Sequence, residues 1–251
     1  MKDTVVVILG AGKGKRMGLD MPKVLVPVCE KPMIDYVIRS VKASGISRAP
    51  IVVVSPDNQE TIHAAIAQYE PDYAIQYEQL GTAHAVKSAL EYFKDHNGSV
   101  VVLYGDCPTV TAATIKGLVE LREQTHAVIA MATTTVPDFN EWRSGFLAFG
   151  RIVRDEHGTL VRSVEYKDAS EEEKSIREVN PCYFCFDAQW LAGIFNDIGN
   201  NNNQGEYYLT DALALAVSRK EQVQTISIDP TEAVGVNTPE QRDMVEKLLC
   251  G

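Results

Sequence analysis

The sequence predicts an α/β protein with a mixed, mostly parallel sheet flanked by helices. Two observations carry this prediction. Short β-branched runs alternate with helix-patterned segments over residues 4–134, and a glycine-rich loop follows the first of these runs. A chain of 251 residues with 45% apolar composition also has enough material for one sizeable core.

The first half alternates strands and helices in chain order. Short apolar runs predict strands at 4–9, 50–55, 73–77, 99–106 and 126–134. Helices are predicted between them at 32–45, 57–70, 81–94 and 111–124, the first with a proline near its start and Gly45 at its end. This alternation is typical of a parallel sheet covered on both faces.

The second half is less regular. The pattern predicts two strands around a His-Gly turn within residues 149–168. It also predicts strands at 183–187 and 222–229, and helices at 205–220 and 238–249. No linker rich in Gly, Pro or Ser divides the chain, and "GNNNNQG" at 199–205 is a polar loop. We therefore expect one domain over residues 1–251.

The composition argues against several classes of protein. The formal net charge is −10, from 24 Lys and Arg against 34 Asp and Glu, whereas general nucleic-acid binding needs a basic face. No apolar run approaches the ~20 residues of a membrane helix, and the N-terminus does not resemble a signal peptide. We therefore expect a soluble, cytoplasmic protein with no nucleic-acid and no membrane partner.

Five scattered cysteines do not predict a disulfide framework in a chain of this length. Cys182 and Cys185 form one C-x-x-C motif inside an aromatic strand. A zinc site would usually require a second pair or nearby histidines, so buried packing is favoured over a metal or redox role.

The glycine-rich loop is "LGAGKGKRMG" at 9–18. A Walker A loop needs four residues between its glycines, but Gly10 and Gly14 enclose three. Its Lys must precede Ser or Thr, whereas Lys15 precedes Arg16. A dinucleotide fingerprint fits only weakly, because Lys15 stands where its third glycine should be.

A third pattern, L-x-A-G-x-G-x-R-M with Pro-Lys shortly after, is matched at 9–17 and 22–23. It resembles the signature loop of sugar-nucleotide pyrophosphorylases, which join a nucleoside triphosphate to a sugar 1-phosphate. Further segments are similar, in the same order, to the bacterial N-acetylglucosamine-1-phosphate uridylyltransferases. They are "QYEQLGTAHAV" (76–86), "LYGDCP" (103–108), "FGRIVRD" (149–155), "VEYKDAS" (164–170), "NNNQGEYYLTD" (201–211) and "VGVN" (234–237).

This resemblance spans almost the whole chain and implies a Rossmann-like nucleotidyltransferase fold. It implies a nucleotide-binding half at about 1–135 and a sugar-binding half at about 136–251. The implied nucleotide-binding residues are Leu9, Gly10, Ala11, Gly12, Gln76, Gln79, Gly81 and Thr82. The implied sugar-binding residues are Tyr104, Gly105, Gly150, Glu165, Lys167 and Asn180. The implied catalytic residues are Arg16, Lys23 and Asp106, and Mg²⁺ would be held by Asp106 and Asn237.

Each implied role has a physical reason. The Gln76 amide carries a donor and an acceptor, which suits the imide edge of uracil, although without its flanking motifs it would be an ordinary surface strand residue. Arg16 can grip phosphate as a fork and Lys23 as a point charge. Carboxylate and amide oxygens suit Mg²⁺, which takes its other ligands from water and substrate phosphates.

The implied reaction is in-line attack by a sugar 1-phosphate oxygen on the α-phosphorus of UTP, with pyrophosphate leaving. The attacking phosphate is already anionic near neutral pH, so catalysis would rest on positioning and charge neutralisation. The most specific form uses N-acetylglucosamine 1-phosphate and yields UDP-N-acetylglucosamine. Three alternatives stay open: another sugar 1-phosphate as substrate, transfer of a thymidylyl or cytidylyl group, and a catalytically silent regulator that binds sugar nucleotides. The chain could also form a homo-oligomer.

The sequence departs from the family in four respects. It contains no hexapeptide repeats, so we expect no β-helix acetyltransferase domain. Pro181 and Cys182 follow Asn180 where the family commonly has a small residue and Gly, which puts the N-acetyl preference in doubt. Residues 138–148 are an insertion expected near the sugar, where it would close over substrate, mediate dimer contacts or form a plain surface loop. Gly10 stands where the family often has Ala, an exchange expected only to free the backbone.

Overall fold

A ten-stranded mixed sheet organises the chain in a computed structural model, which describes residues 4–12, 20–202 and 204–250. In chain order the strands are β1 (Thr4–Leu9), β2 (Pro27–Val28), β3 (Lys31–Pro32), β4 (Ile51–Val54), β5 (Asp72–Ile75), β6 (Ser99–Tyr104), β7 (Ile129–Thr135), β8 (Gly150–Arg154), β9 (Leu160–Val164), β10 (Glu178–Asn180), β11 (Phe184–Asp187) and β12 (Val223–Ser227). The helices are α1 (Met33–Ala43), α2 (Gln59–Ile66), α3 (Thr82–Ser88), α4 (Ala112–Thr125), α5 (Glu171–Lys174), α6 (Ala188–Ile194), α7 (Asp211–Ser218) and α8 (Pro239–Cys250).

The sheet is parallel in its first-half strands and gains antiparallel strands from the second half. Its order is β5-β4-β1-β6-β11-β7-β10-β8-β9, with β12 pairing in parallel to β7 and the β2–β3 hairpin standing apart. Antiparallel β11 lies between β6 and β7. The predicted fold class, a mixed sheet flanked by helices, is confirmed.

Both faces of the central strands are buried. In β1, Val6 and Ile8 belong to one core, and Val5 and Val7 belong to the core on the opposite face. Side chains alternate across a strand, so a strand covered on both sides must be apolar at every position. Leu9 pairs with Tyr104 at the carboxyl ends of β1 and β6, which brings residues 10–12, the described start of the glycine-rich loop, beside the loop after β6.

The helix predicted over 205–220 begins only at Asp211. The residues before it are held elsewhere: the Tyr207 N–H donates to the Leu80 carbonyl at 2.8 Å, and the Tyr207 carbonyl accepts from the Ala83 N–H at 2.9 Å. Tertiary pairing has overridden the local helical pattern at this point. The helix predicted over 81–94 likewise stops at Ser88 and continues as a short 3-10 turn.

No disulfide framework was expected, and the structure has one disulfide among its five cysteines. Cys29, in the β2–β3 turn, and Cys250, at the end of α8, form a disulfide whose Cα atoms are 6.3 Å apart. Cys107, Cys182 and Cys185 are free, and Cys185 is fully buried in β11. Among the described residues, no group of three or more His, Cys, Asp or Glu side chains is arranged to hold a metal.

None of the helices within the described ranges combines the length and apolar character that spanning a bilayer requires.

Candidate active site

A cavity of about 250 Å³ lies at the carboxyl ends of β1 and β6. This edge of an open α/β sheet is where ligands usually bind. It is lined by Leu9, Ala11, Gly12, Lys23, Val24, Gln76, Gln79, Gly81, Thr82, Ala85, Tyr104, Asp106 and Glu206. Most of the predicted nucleotide-binding residues are therefore together. Glu206 was missed, although it belongs to the 201–211 motif that the sequence analysis singled out.

Two glycines allow a close backbone approach beneath this cavity. The Gly105 N–H donates to the Leu9 carbonyl at 3.0 Å, and a Cβ at Gly105 would lie 2.8 Å from Val24 Cγ1. The Gly10 N–H donates to the Val53 carbonyl at 2.8 Å, and a Cβ there would lie 3.0 Å from that oxygen. Gly10 thus packs against β4 behind the cavity wall, so it does more than free the backbone.

Gln76 forms a buried part of the cavity wall at the end of β5. Only 4% of its surface is exposed, and its backbone N–H donates to the Val54 carbonyl at 2.8 Å. Its side-chain nitrogen donates to the Gly81 carbonyl at 3.2 Å and lies 3.2 Å from His84 Nδ1. Gln76 is therefore not an ordinary surface residue, and His84 is a contact that the sequence analysis did not identify.

The turn after Gln76 joins two distant motifs into one wall. Gln79 Nε2 donates to the Ala11 carbonyl at 2.8 Å, which ties this turn to the glycine-rich loop. Gly81 has φ +111°, and a Cβ on it would lie 2.5 Å from the Tyr207 carbonyl oxygen. Thr82 Oγ1 accepts from the Leu209 N–H at 2.9 Å. Only glycine fits at position 81, because both its backbone conformation and its contact with Tyr207 exclude a side chain.

A cation lies between the two predicted metal ligands. Lys23 Nζ donates to the Asp106 carboxylate and, at 2.7 Å, to Asn237 Oδ1. Asp106 follows β6 and Asn237 precedes α8, and the Val236 N–H donates to the Asp106 carbonyl at 2.9 Å, which holds the two loops together. The Asp106 and Asn237 oxygens therefore converge on one positive charge, the Lys23 ammonium. Hard oxygen ligands that converge in this way fit Mg²⁺.

Two of the predicted sugar-binding residues, Asn180 and Gly150, meet at Ser163. Asn180 is 2% exposed, and its Nδ2 donates to Ser163 Oγ at 3.4 Å. Gly150 pairs with Asn180 across the β8–β10 ladder, and a Cβ on Gly150 would lie 3.0 Å from Ser163 Oγ. Glu165 accepts from Thr210 Oγ1 at 3.2 Å. Burial, followed by the charges of nearby aspartates, raises the pKa of Glu165.

The turn after Asn180 has an unusual residue at its strained position. Cys182 has φ +65°, a conformation that favours glycine, and its N–H donates to Asn180 Oδ1 at 2.8 Å. Burial raises the pKa of the Cys182 thiol, and it also raises that of the Tyr104 hydroxyl. The Glu165 charge raises the pKa of this thiol further and the Tyr104 hydroxyl lowers it, so Cys182 lies beside two predicted sugar-binding residues.

Glu165 and Lys167 line a second cavity, of about 260 Å³, rather than the first. Its other lining residues are Ala148, Tyr166, Asp168, Asn202, Gln204 and Tyr208. Residues of the 201–211 motif border both cavities, Glu206 the first and Asn202, Gln204 and Tyr208 the second. Because Glu165 and Lys167 are predicted to bind the sugar, we name the second one the sugar-side cavity. Arg16 falls at 13–19, outside the described residues.

The insertion at 138–148 is anchored rather than loose. Within its 3-10 helix (Glu141–Ala148), Phe146 is 2% exposed and contacts Trp142 and Phe149 edge-on. Fully buried Arg151 donates to the carbonyls of this segment and of α5. The acceptors are Phe146 (3.3 Å), Leu147 (3.2 Å), Phe149 (2.5 Å) and Lys174 (3.3 Å). The insertion contributes Ala148 to the sugar-side cavity, and its Trp142 and Gly145 meet the start of α8 beside Gln241.

Comparisons with known proteins agree with this architecture. Residues 6–193 match the MobA-like NTP transferase domain. The bifunctional protein GlmU of Brevibacillus brevis is 39% identical over 244 residues, and that of Clostridium acetobutylicum is 36% identical over 245 residues. Each alignment covers 97% of this chain and 51% of the relative, so the chain spans about half the length of these curated relatives. A UDP-glucose pyrophosphorylase solved with UDP-glucose aligns with a TM-score of 0.74 over 99% of this chain and 98% of that one, at 16% identity, which shows a shared fold.

Proposed function

The chain belongs to the MobA-like NTP transferase domain family, and from this premise we propose that it is a sugar-1-phosphate uridylyltransferase. The proposed substrates are UTP and N-acetylglucosamine 1-phosphate, and the products are UDP-N-acetylglucosamine and pyrophosphate. We further propose that residues 1–251 act as one nucleotidyltransferase domain, with the nucleotide in the half that ends near 135 and the sugar in the remainder. The observation that supports this most directly is the convergence of Lys23, Asp106 and Asn237 beside the cavity walled by Gln76.

In this reaction different residues would contact the base, the phosphates and the metal ion. Gln76, Gly81 and Thr82 hold the base, while the backbone of Ala11 and Gly12 borders the position of the phosphates. Bound Mg²⁺ would neutralise charge on the triphosphate, and Asp106 and Asn237 would hold it.

Lys23 adds a second positive charge at the same place, beside the leaving pyrophosphate. No protein group is needed to activate the nucleophile, because a phosphate oxygen is anionic near neutral pH. The chain's contribution is therefore alignment of the two phosphates and charge neutralisation.

Pyrophosphate release in the presence of Mg²⁺ tests this proposal. We expect Lys23→Ala and Asp106→Ala each to lower turnover at least about 10²-fold, as expected for the loss of one preorganised electrostatic element. Lys31→Ala, an exposed lysine in the nearby β2–β3 hairpin, is the matched control and should keep wild-type turnover. Near-wild-type turnover in either of the first two variants would contradict the assignment.

A second candidate keeps the chemistry and changes the sugar. The observation in its favour is Cys182. It stands where the uridylyltransferases that this sequence resembles commonly have Gly, and its thiol interacts with Glu165. A panel of glucose, galactosamine and N-acetylglucosamine 1-phosphates with UTP separates the two candidates by their kcat/KM ratios.

A further inference from the structure

We propose that His84 is a positioning residue, which fixes the orientation of the Gln76 amide and so makes it select uracil or thymine over cytosine. This inference rests on the proposed nucleotide site and goes beyond it, because it assigns base choice to a side chain outside the cavity lining.

The identity of the amide atoms follows from the acceptor at Gly81. A backbone carbonyl oxygen can only accept a hydrogen bond. The Gln76 side-chain atom 3.2 Å from the Gly81 oxygen must therefore be the nitrogen, Nε2. The opposite amide orientation would place two acceptors against each other.

The same nitrogen determines the state of His84. Gln76 Nε2 lies 3.2 Å from His84 Nδ1 and can only donate. Nδ1 must then be the acceptor, so the imidazole carries its proton on Nε2. His84 belongs to α3, in the same helix as Thr82, so its ring is fixed relative to the base wall.

Both hydrogens of the Gln76 amide are thereby engaged, one by Gly81 and one by His84. Within the described part of the chain, no hydrogen bond reaches Gln76 Oε1, and Gln76 lines the nucleotide cavity. Oε1 is therefore the group left to meet the base, and it can only accept. Uracil and thymine carry a donor at N3, whereas N3 of cytosine is an acceptor, so Oε1 facing position 3 attracts the former and repels the latter.

Two variants at position 84 test this inference. His84→Asn can place its Oδ1 close to where Nδ1 lies and so retains an acceptor, whereas His84→Leu has a side chain of similar reach and no acceptor. We expect His84→Leu to lower the preference for UTP over CTP about tenfold, the factor for one ordinary hydrogen bond. The Asn variant should stay within about threefold of the wild-type preference. If the Leu variant has a lowered melting temperature, His84→Ala replaces it.

The preference is measured twice, as the ratio of Kd values for UTP and CTP by calorimetry and as the ratio of kcat/KM values by pyrophosphate release. A purely structural role would weaken both nucleotides alike and leave the ratio unchanged. The inference is overturned by a wild-type ratio in His84→Leu, by an equal loss in His84→Asn, or by a wild-type protein that binds both nucleotides equally. A shifted Kd ratio without any turnover would support His84 while counting against the proposed reaction.

Discussion

Replacing Arg151 by methionine should remove the hydrogen bonds that hold residues 146–149 to β8 and α5. The guanidinium is fully buried and donates to four backbone carbonyls, and its contacts include the faces of Phe139 (4.7 Å) and Tyr166 (5.0 Å). Burial lowers the pKa of Arg151, because it disfavours the charged guanidinium, and the neighbouring Tyr166 opposes this shift. Methionine keeps the apolar stem but supplies none of the donors.

The magnitude follows from the carbonyls that lose their partner. A buried acceptor left unpaired costs about 1–3 kcal/mol. Phe146 is buried, whereas Leu147 is exposed and Phe149 and Lys174 are half-buried, so the other three carbonyls can turn partly to water. We therefore expect the free energy of unfolding to fall by about 2–4 kcal/mol. Arg219→Met is the matched control, because Arg219 pairs with Asp197 at 2.7 Å with side chains 41% and 45% exposed. An exposed pair of this kind contributes at most about 1 kcal/mol.

Urea denaturation followed by circular dichroism measures both variants, with an unchanged m value as the condition for comparing them. A loss in Arg151→Met within about 1 kcal/mol of the control would refute the reasoning, because it would mean that the four carbonyls find other partners. In the folded fraction, KM for the sugar 1-phosphate should rise more than KM for UTP, since Ala148 and Tyr166 line the sugar-side cavity.

Three further substitutions test other parts of the site. Gly81→Ala should lower the free energy of unfolding by more than ~1 kcal/mol, because φ is +111° and its Cβ would meet the Tyr207 carbonyl; an unchanged urea midpoint would contradict this. Cys182→Gly should raise stability by up to about 1 kcal/mol by relieving a positive φ, and calorimetry should show no such gain for Cys185→Gly in the middle of β11. Glu165 has a folded-state pKa above its ordinary value of 4.5, so its contribution favours folding at low pH and is lost as pH rises through the folded pKa. Glu165→Gln should therefore flatten the pH dependence of stability above pH 4.5, and an unaltered profile would refute the assignment.

The repeating half of the fold could be predicted from sequence because each element depends on local patterns. A run such as residues 5–9 is apolar at every position, which predicts a strand buried on both faces regardless of its neighbours. The insertion of antiparallel β11 between β6 and β7 depends instead on pairing between distant segments, and no local pattern encodes that order. The Cys29–Cys250 pair, 221 residues apart, was missed for the same reason.

The site was predictable to the extent that motifs specify chemistry. Three of the motifs meet at the first cavity and its Lys23 centre, namely the segments 76–86, 103–108 and 234–237. The early start assigned to α7 failed because Tyr207 and its neighbours contact Leu80 and Ala83 instead of extending the helix. The close approach of Gly10 to β4 was not predictable for a related reason, since the Val53 carbonyl that it contacts follows it by more than forty positions.

The contact between Gly81 and Tyr207 has a consequence for dissecting the protein into fragments. The match to the family model ends at 193, whereas Tyr207 and Asn237 come later in the chain. A fragment cut at that boundary would keep every parallel strand from β1 to β6 and still lack Tyr207, which packs against the cavity residue Gly81, and one of the two oxygens facing Lys23. Nucleotide affinity should therefore be lost on such truncation even where the remaining sheet stays folded, which makes affinity a more sensitive reporter of the intact chain than secondary-structure content.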